Sequence, residues 1–209
     1  MVFLFEMPNY SLSNFLSSVV ALSVVAVFAA IFADFAKYGQ KVAKKSKRSI
    51  VATGSMMGFY AVYYLVLRFG PGYFDFVNIY IIFIAVLGTA MVFAGAVLNI
   101  IGRLQLGGNW ANHIKIYENH VLANRGVYKI VRHPLYASIM LMLLGGSLAY
   151  RNWLSAAMTA FVFVPFMYFR AKQEEALLQE EFAEYEEYKK TTGMFFPKLW
   201  KGGKTNGEI

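Results

Sequence analysis

Residues 135–169 read LYASIMLMLLGGSLAYRNWLSAAMTAFVFVPFMYF. Two apolar runs, 135–150 and 153–169, are separated by Arg151 and Asn152 alone. Neither run alternates polar with apolar residues as a half-buried strand does, and both are too long for ordinary strands. Joined by so short a polar step, they predict a tight helical hairpin whose two ends lie on one side. Pro134 stands at the first turn of the leading helix, where its missing N–H costs no intrahelical bond.

Three further apolar runs precede the hairpin. Residues 15–35 carry a single charge, Asp34, and as a helix they span roughly 30 Å, the thickness of the hydrocarbon core. Residues 50–69 end at Arg68 before the turn-forming Gly70-Pro71-Gly72, and residues 78–101 form the third run. The chain is 58% hydrophobic and 15% charged with a mean hydropathy of +0.46, so a bilayer rather than water is its expected solvent. The expected fold is an all-α integral membrane protein of about five transmembrane helices, with a C-terminal helical hairpin, a cytoplasmic connector and a cytoplasmic C-terminal helix. Residues 1–209 are read as one membrane-embedded domain: three spans in 1–103, a chemistry-bearing half in 104–200 and a flexible tail in 201–209.

Charge sets the expected orientation. Residues 37–48, 103–132 and 170–204 hold 18 of the 20 Lys and Arg, leaving Arg68 and Arg151 opposite. Under the positive-inside rule the N-terminus lies outside and the C-terminus in the cytoplasm. The net charge of +8 is scattered beside apolar runs, which suits anionic lipid headgroups and argues against a nucleic-acid partner. The absence of cysteine excludes disulfides, thiolate metal sites and cysteine nucleophiles. No cleavable signal peptide is expected, since residues 1–13 lack a basic leader region. Nothing in the sequence sets an oligomeric state.

Polar residues that could carry chemistry gather on the cytoplasmic side. The connector 103–133 ends in Gly126-Val127-Tyr128 and Arg132-His133-Pro134-Leu135-Tyr136, directly before the hairpin. A helix N-terminus there favours an anion or a carboxylate, although Arg132 and His133 also suit interfacial anchoring. After the hairpin, residues 170–190 hold seven of the twelve acidic residues, with Leu178, Phe182, Tyr185 and Tyr188 at helical spacing. They predict one amphipathic helix. Arg170 and Glu174 share a face of it at i,i+4, a pair that by itself contributes only tenths of a kcal/mol. His113 and His120 suit loop positions, and with His133 they lack the ligand spacing of a metal site, so no metal is expected. Asp34, near the end of its span, is read as structural.

Taken in order, Gly-Val-Tyr, Arg-His-Pro-Leu-Tyr, the hairpin, Glu174-Glu175, Glu180-Glu181-Phe182, Tyr185-x-x-Tyr188 and Pro197 resemble the isoprenylcysteine carboxyl methyltransferase family, in a prokaryotic-type form. The wider group includes phospholipid N-methyltransferases. The resemblance runs from about Leu106 to Trp200. It implies a plasma- or inner-membrane enzyme that uses S-adenosyl-L-methionine without a Rossmann domain, and the sequence has no Gly-x-Gly-x-x-Gly after a predicted strand. It implies a cofactor site of His113, His120, Val121, Leu122, Ala123, Tyr128, His133, Pro134, Leu135, Tyr136 and Glu174. Arg170 is implied beside the acceptor carboxylate, with Arg132 the second choice. The implied partner is a lipidic carboxylate entering from the bilayer. Two positions depart from the family pattern: Ala183 follows Phe182 where glycine is common, and Met194 stands where relatives carry arginine.

Three other functions fit parts of this pattern. N-methylation of an amine headgroup needs a proton acceptor, and Arg170 favours a carboxylate acceptor instead. Reduction of a sterol-like lipid by a nicotinamide cofactor is a property of larger chains with related C-terminal motifs. A small transporter or assembly protein would bind no cofactor.

Overall fold

A computed structural model describes residues 10–38, 45–47, 50–74, 78–109, 114–116 and 122–198. The elements in order are α1 (Tyr10–Tyr38), β1 (Lys45–Lys47), α2 (Ile50–Phe69), α3 (Asn78–Leu106), β2 (Ile114–Ile116), α4 (Pro134–Ala149), α5 (Trp153–Met158), α6 (Val164–Glu181) and α7 (Tyr185–Thr191). Each predicted apolar run lies in a helix. Among the described residues, three helices are long and apolar enough to cross a bilayer: Tyr10–Tyr38, Tyr80–Leu106 and the continuous helix Trp153–Glu181; α4 is shorter. Their outer faces carry Phe15, Phe28, Phe32, Phe83 and Phe161, all more than half exposed, as expected of side chains that meet lipid.

The hairpin forms at the predicted place. Arg151 takes a left-handed backbone conformation, φ 50°, and its guanidinium lies 4.9 Å from the ring centroid of Tyr73. The turn docks on the α2–α3 loop, where Asn152 Nδ2 donates to Pro71 O (2.9 Å) and Trp153 N to Gly72 O (3.0 Å). Gly72, at φ +82°, sits where any Cβ would strike the Leu154 backbone. On its other side α4 meets α3 almost backbone to backbone: a Cβ at Gly88 would lie 2.4 Å from Ala149 N, and one at Gly145 2.7 Å from Gly88 O. These glycines let two helices approach as small residues do in membrane bundles. Tyr63 of α2 closes the third side, donating to Leu143 O at 2.6 Å amid Met140, Phe163 and Met167.

One expectation is corrected. The C-terminal helix predicted over 170–190 is not one helix. The second arm of the hairpin runs on through a π turn at Thr159–Phe163 and ends at Glu181; Phe182 is extended (φ −120°, ψ 110°) and α7 starts at Tyr185. Pro165, which has no amide to donate, stands one residue beyond the π turn, after Val164. Among the described residues only Arg151 is a non-glycine with positive φ, so the break at Ala183 needs no glycine. The expected helical architecture stands, with one small two-stranded addition among the described residues. β1 and β2 pair antiparallel, Ser46 against Lys115, joining the α1–α2 loop to the connector. Three-residue strands carry too little periodicity to be read from sequence. The tail 201–209 lies outside the described residues.

Candidate functional site

The site assembles where the N-terminus of α4 meets the polar end of α6, beyond the apolar run 153–169. Its backbone frame comes from the C-terminal segment after α7, which lies against the Arg-His-Pro stretch: Arg132 N donates to Gly193 O (2.8 Å) and His133 N to Met194 O (3.0 Å). Val131 and Gly193 form a parallel bridge. His133 then caps α4, its carbonyl accepting from Ala137 N at 3.0 Å, and Pro134 opens the helix. The amides of Leu135 and Tyr136 precede the first intrahelical donor, the arrangement that favours negative charge.

Two carboxylates stand before this helix end. Glu174 accepts from the Tyr136 hydroxyl at 3.0 Å and lies 3.6 Å from His133 Nδ1, with its side chain 36% exposed. Glu175 is buried; its Oε1 takes Arg132 Nε at 2.8 Å and lies 3.3 Å from His133 Nε2. Burial pushes the Glu175 carboxyl up, but hydrogen bonds and charge from His133 and Arg132 outweigh it and hold the group at about 2. Glu175 therefore stays ionised and fixes the imidazole. The His133 ring stacks on Tyr136 (5.4 Å, 6°) and meets Phe195 edge-on at 6.0 Å.

Arg132 spends its donors inside the protein. Besides Glu175 it donates through Nη1 to Lys189 O (3.3 Å) in the last turn of α7 and to Thr192 O just beyond it. Arg170 differs: it faces Tyr136, and its Nε is buried with no hydrogen-bond partner. Of the two arginines, Arg170 holds a donor in reserve. Tyr185 OH and Glu175 Oε2 are likewise buried without partners. Burial, with the nearby Glu175 charge, raises the Tyr185 phenol above its ordinary value.

Beside this cluster a cavity of about 580 Å³ is lined by Gln105, Leu122, Ala123, Gly126, Tyr128 and Glu184, among others. Its volume falls within the range of small-molecule sites. Its wall is set by the turn Gly126–Lys129: Val127 N donates to Gln105 Oε1 (2.8 Å), Tyr128 OH to Gly102 O (3.3 Å) and Tyr188 OH to Tyr128 O. Gly126 adopts φ +58°, with Gln105 where a Cβ would be.

Of the residues proposed from sequence, Leu122, Ala123 and Tyr128 line the cavity, while His133, Pro134, Tyr136, Glu174 and Arg170 form the helix-end cluster. Leu135 packs toward Gly102 of α3. His113, His120 and Val121 lie outside the described residues. Sequence reasoning passes over Tyr185 as a site residue and names Glu175 beside Glu174 without giving it a role, because an acidic pair does not announce which member turns inward. A nucleotide-sized cationic cofactor with a carboxylate of its own fits these residues: a cavity of suitable volume, an exposed-edge carboxylate in Glu174, and free amides at a helix start.

Residues 86–180 match the sequence pattern of the Isoprenylcysteine carboxyl methyltransferase (ICMT) family. The match starts inside α3 and stops before α7, so the methyltransferase-family resemblance is shown for the segment holding α4 to α6. A probable protein-S-isoprenylcysteine O-methyltransferase of Oryza sativa subsp. indica is 31% identical over 109 residues, 51% of this chain and 57% of the relative. The protein-S-isoprenylcysteine O-methyltransferase of Saccharomyces cerevisiae is 35% identical over 115 residues, 54% of this chain and 48% of the relative. A cobalt-zinc-cadmium resistance protein of Cupriavidus metallidurans is 32% identical over 106 residues, 50% of this chain and 47% of the relative. The chain spans about half the length of the curated relatives it matches.

Proposed function

We propose that this protein is a membrane methyltransferase that uses S-adenosyl-L-methionine to esterify the carboxylate of a lipidic, isoprenylcysteine-like acceptor at the cytoplasmic face of the membrane. One observation carries the reading: Glu174, anchored by the Tyr136 hydroxyl, stands before the N-terminus of α4 while Arg170, one turn back on α6, keeps a buried Nε without a partner. A carboxylate there suits a cation, helix-end amides suit a carboxylate, and a guanidinium that bonds Tyr136 yet keeps its Nε unpartnered suits a second carboxylate. The match to a methyltransferase family over this segment supports it.

The bound cofactor would supply a methyl group activated on a sulfonium. An acceptor carboxylate is already ionised, so these residues would need to supply no base. The protein therefore works by orientation and exclusion of water. Glu174 would attract the positive charge, the amides of Leu135 and Tyr136 would hold the cofactor's carboxylate, and Leu122, Ala123 and Tyr128 would wall in the rest of it. Arg170 orients the acceptor through its planar fork. His133, held by Glu175, Tyr136 and Phe195, would form the floor of the cofactor site. In this reading all five apolar runs cross or enter the bilayer, the domain is continuous, and the site faces the cytoplasm, a placement that the distribution of Lys and Arg supports.

Calorimetry on detergent-purified protein tests it: binding of S-adenosylmethionine and not of NADPH is expected. Methyl transfer to S-farnesyl-N-acetylcysteine but not to phosphatidylethanolamine is then expected in vesicles. Binding of NADPH alone, or of neither compound, overturns the reading; transfer to the amine lipid alone replaces the carboxylate acceptor.

A further inference from the structure

Outside the cluster, a continuous hydrogen-bonded chain crosses the bundle beneath the site. Arg103, in the last turn of α3, pairs with Asp34 of α1 (Nη1 to Oδ2, 2.7 Å) and donates from Nε to Asn99 Oδ1 at 2.8 Å. Asn99 Nδ2 donates to Ser138 Oγ (2.7 Å), and Ser138 donates to Leu135 O (2.7 Å) in the first turn of α4. Asn99 and Ser138 are completely buried, and Arg103 nearly so. Each polar group is costly among apolar helices unless its partners hold it, so the chain behaves as a unit.

The same end of α3 touches both walls of the candidate site. Gly102 O accepts from Tyr128, while a Cβ at Gly102 would lie 3.0 Å from Leu135 Cδ2 and 3.6 Å from Pro134 Cγ. The last turn of α3 therefore spaces the Tyr128 wall from the Pro134–Tyr136 wall, and Arg103 fixes that turn to α1 on one side and to α4 on the other.

We propose that Arg103, anchored by Asp34, is a positioning residue for the site: through Asn99 and Ser138 it sets the first turn of α4 against the Tyr128 wall. The proposal rests on reading the α4 N-terminus as the cofactor wall, and it makes α1, which lies before the family-matched segment, a part of the site's support.

The test uses the full chain in nanodiscs with Ser138→Ala, which deletes one hydroxyl, and Asp34→Asn, which breaks the chain at its far end. Neither residue touches the proposed ligands. KM for S-adenosylmethionine is expected to rise about tenfold in both, the effect of one lost buried hydrogen bond, with kcat at saturating cofactor kept near the parent's. Amide exchange across residues 132–140 should quicken while the Tyr150 end of the hairpin stays protected. Parent-like KM and exchange in Ser138→Ala overturn the proposal, as does faster exchange spread through the whole bundle, which would mark the chain as mere helix glue. If the parent itself binds no S-adenosylmethionine, the proposed function falls, and the local exchange still decides the positioning claim. Should Asp34→Asn fail to fold, Ser138→Ala alone decides the matter.

Discussion

Arg132 and Glu175, distant in sequence, form a buried ion pair with Nε and Oε1 2.8 Å apart and side chains only 7% and 2% exposed. The pair ties the Arg-His-Pro turn to α6, and the same guanidinium reaches carbonyls at the C-terminal end of α7, Lys189 O and Thr192 O. It therefore organises the site without facing it. Removing one partner of such a pair strands the other charge, and Glu175→Gln should cost about 3–5 kcal/mol. Thermal unfolding in detergent checks this; a variant as stable as the parent refutes the structural role.

Acid should reproduce part of that loss. The Glu175 carboxyl is lowered from 4.5 to about 2 on folding. A depressed acid contributes stability that is fully present above the unfolded value and is lost as pH falls through the folded one. Parent stability should thus decline between about pH 4.5 and 2, and Glu175→Gln should flatten that segment of the curve.

Glu174→Gln should weaken S-adenosylmethionine binding by about 1.5–3 kcal/mol, the range for hydrogen bonds to charged groups, and leave folding intact. Glu186→Gln is the control, since its side chain is 62% exposed on α7. Equal affinities for parent and both variants, read by calorimetry, would return Glu174 to an ordinary solvated acidic face.

Arg170→Lys should cut methyl transfer to a carboxylate acceptor far more than it changes cofactor affinity, because lysine keeps charge but loses the fork. Arg132→Lys should instead lower the unfolding temperature, since it cannot serve Glu175 and two carbonyls together. Rates at saturating cofactor, set beside unfolding curves, separate the two arginines. Normal turnover in Arg170→Lys sinks its assigned role.

Topology reporters fused after Ile209 and near Ser46 should report cytoplasm, and one near Gly72 should not. A lumenal or periplasmic signal from the C-terminal fusion would move the site to the wrong face for a cytosolic cofactor.

The amino-acid sequence by itself determined where the apolar helices lie, though not every bound, since α1 and α3 run past their apolar stretches and the segment 170–190 breaks at Phe182. The run 50–69 is α2 to the residue, and α3 starts at Asn78 as its apolar pattern does. The two-residue hairpin turn and the proline start of α4 were equally plain, since each depends on neighbours along the chain. Only the tertiary structure decided which acid of Glu174-Glu175 turns inward, that Arg132 is consumed by internal partners, that Asp34 meets Arg103, and that β1 finds β2. The physical reason is the same in each case. Hydropathy and turn chemistry act over a few adjacent residues, whereas these pairings join groups far apart in sequence and depend on how α1, α3, α4 and α6 pack, which no local pattern encodes.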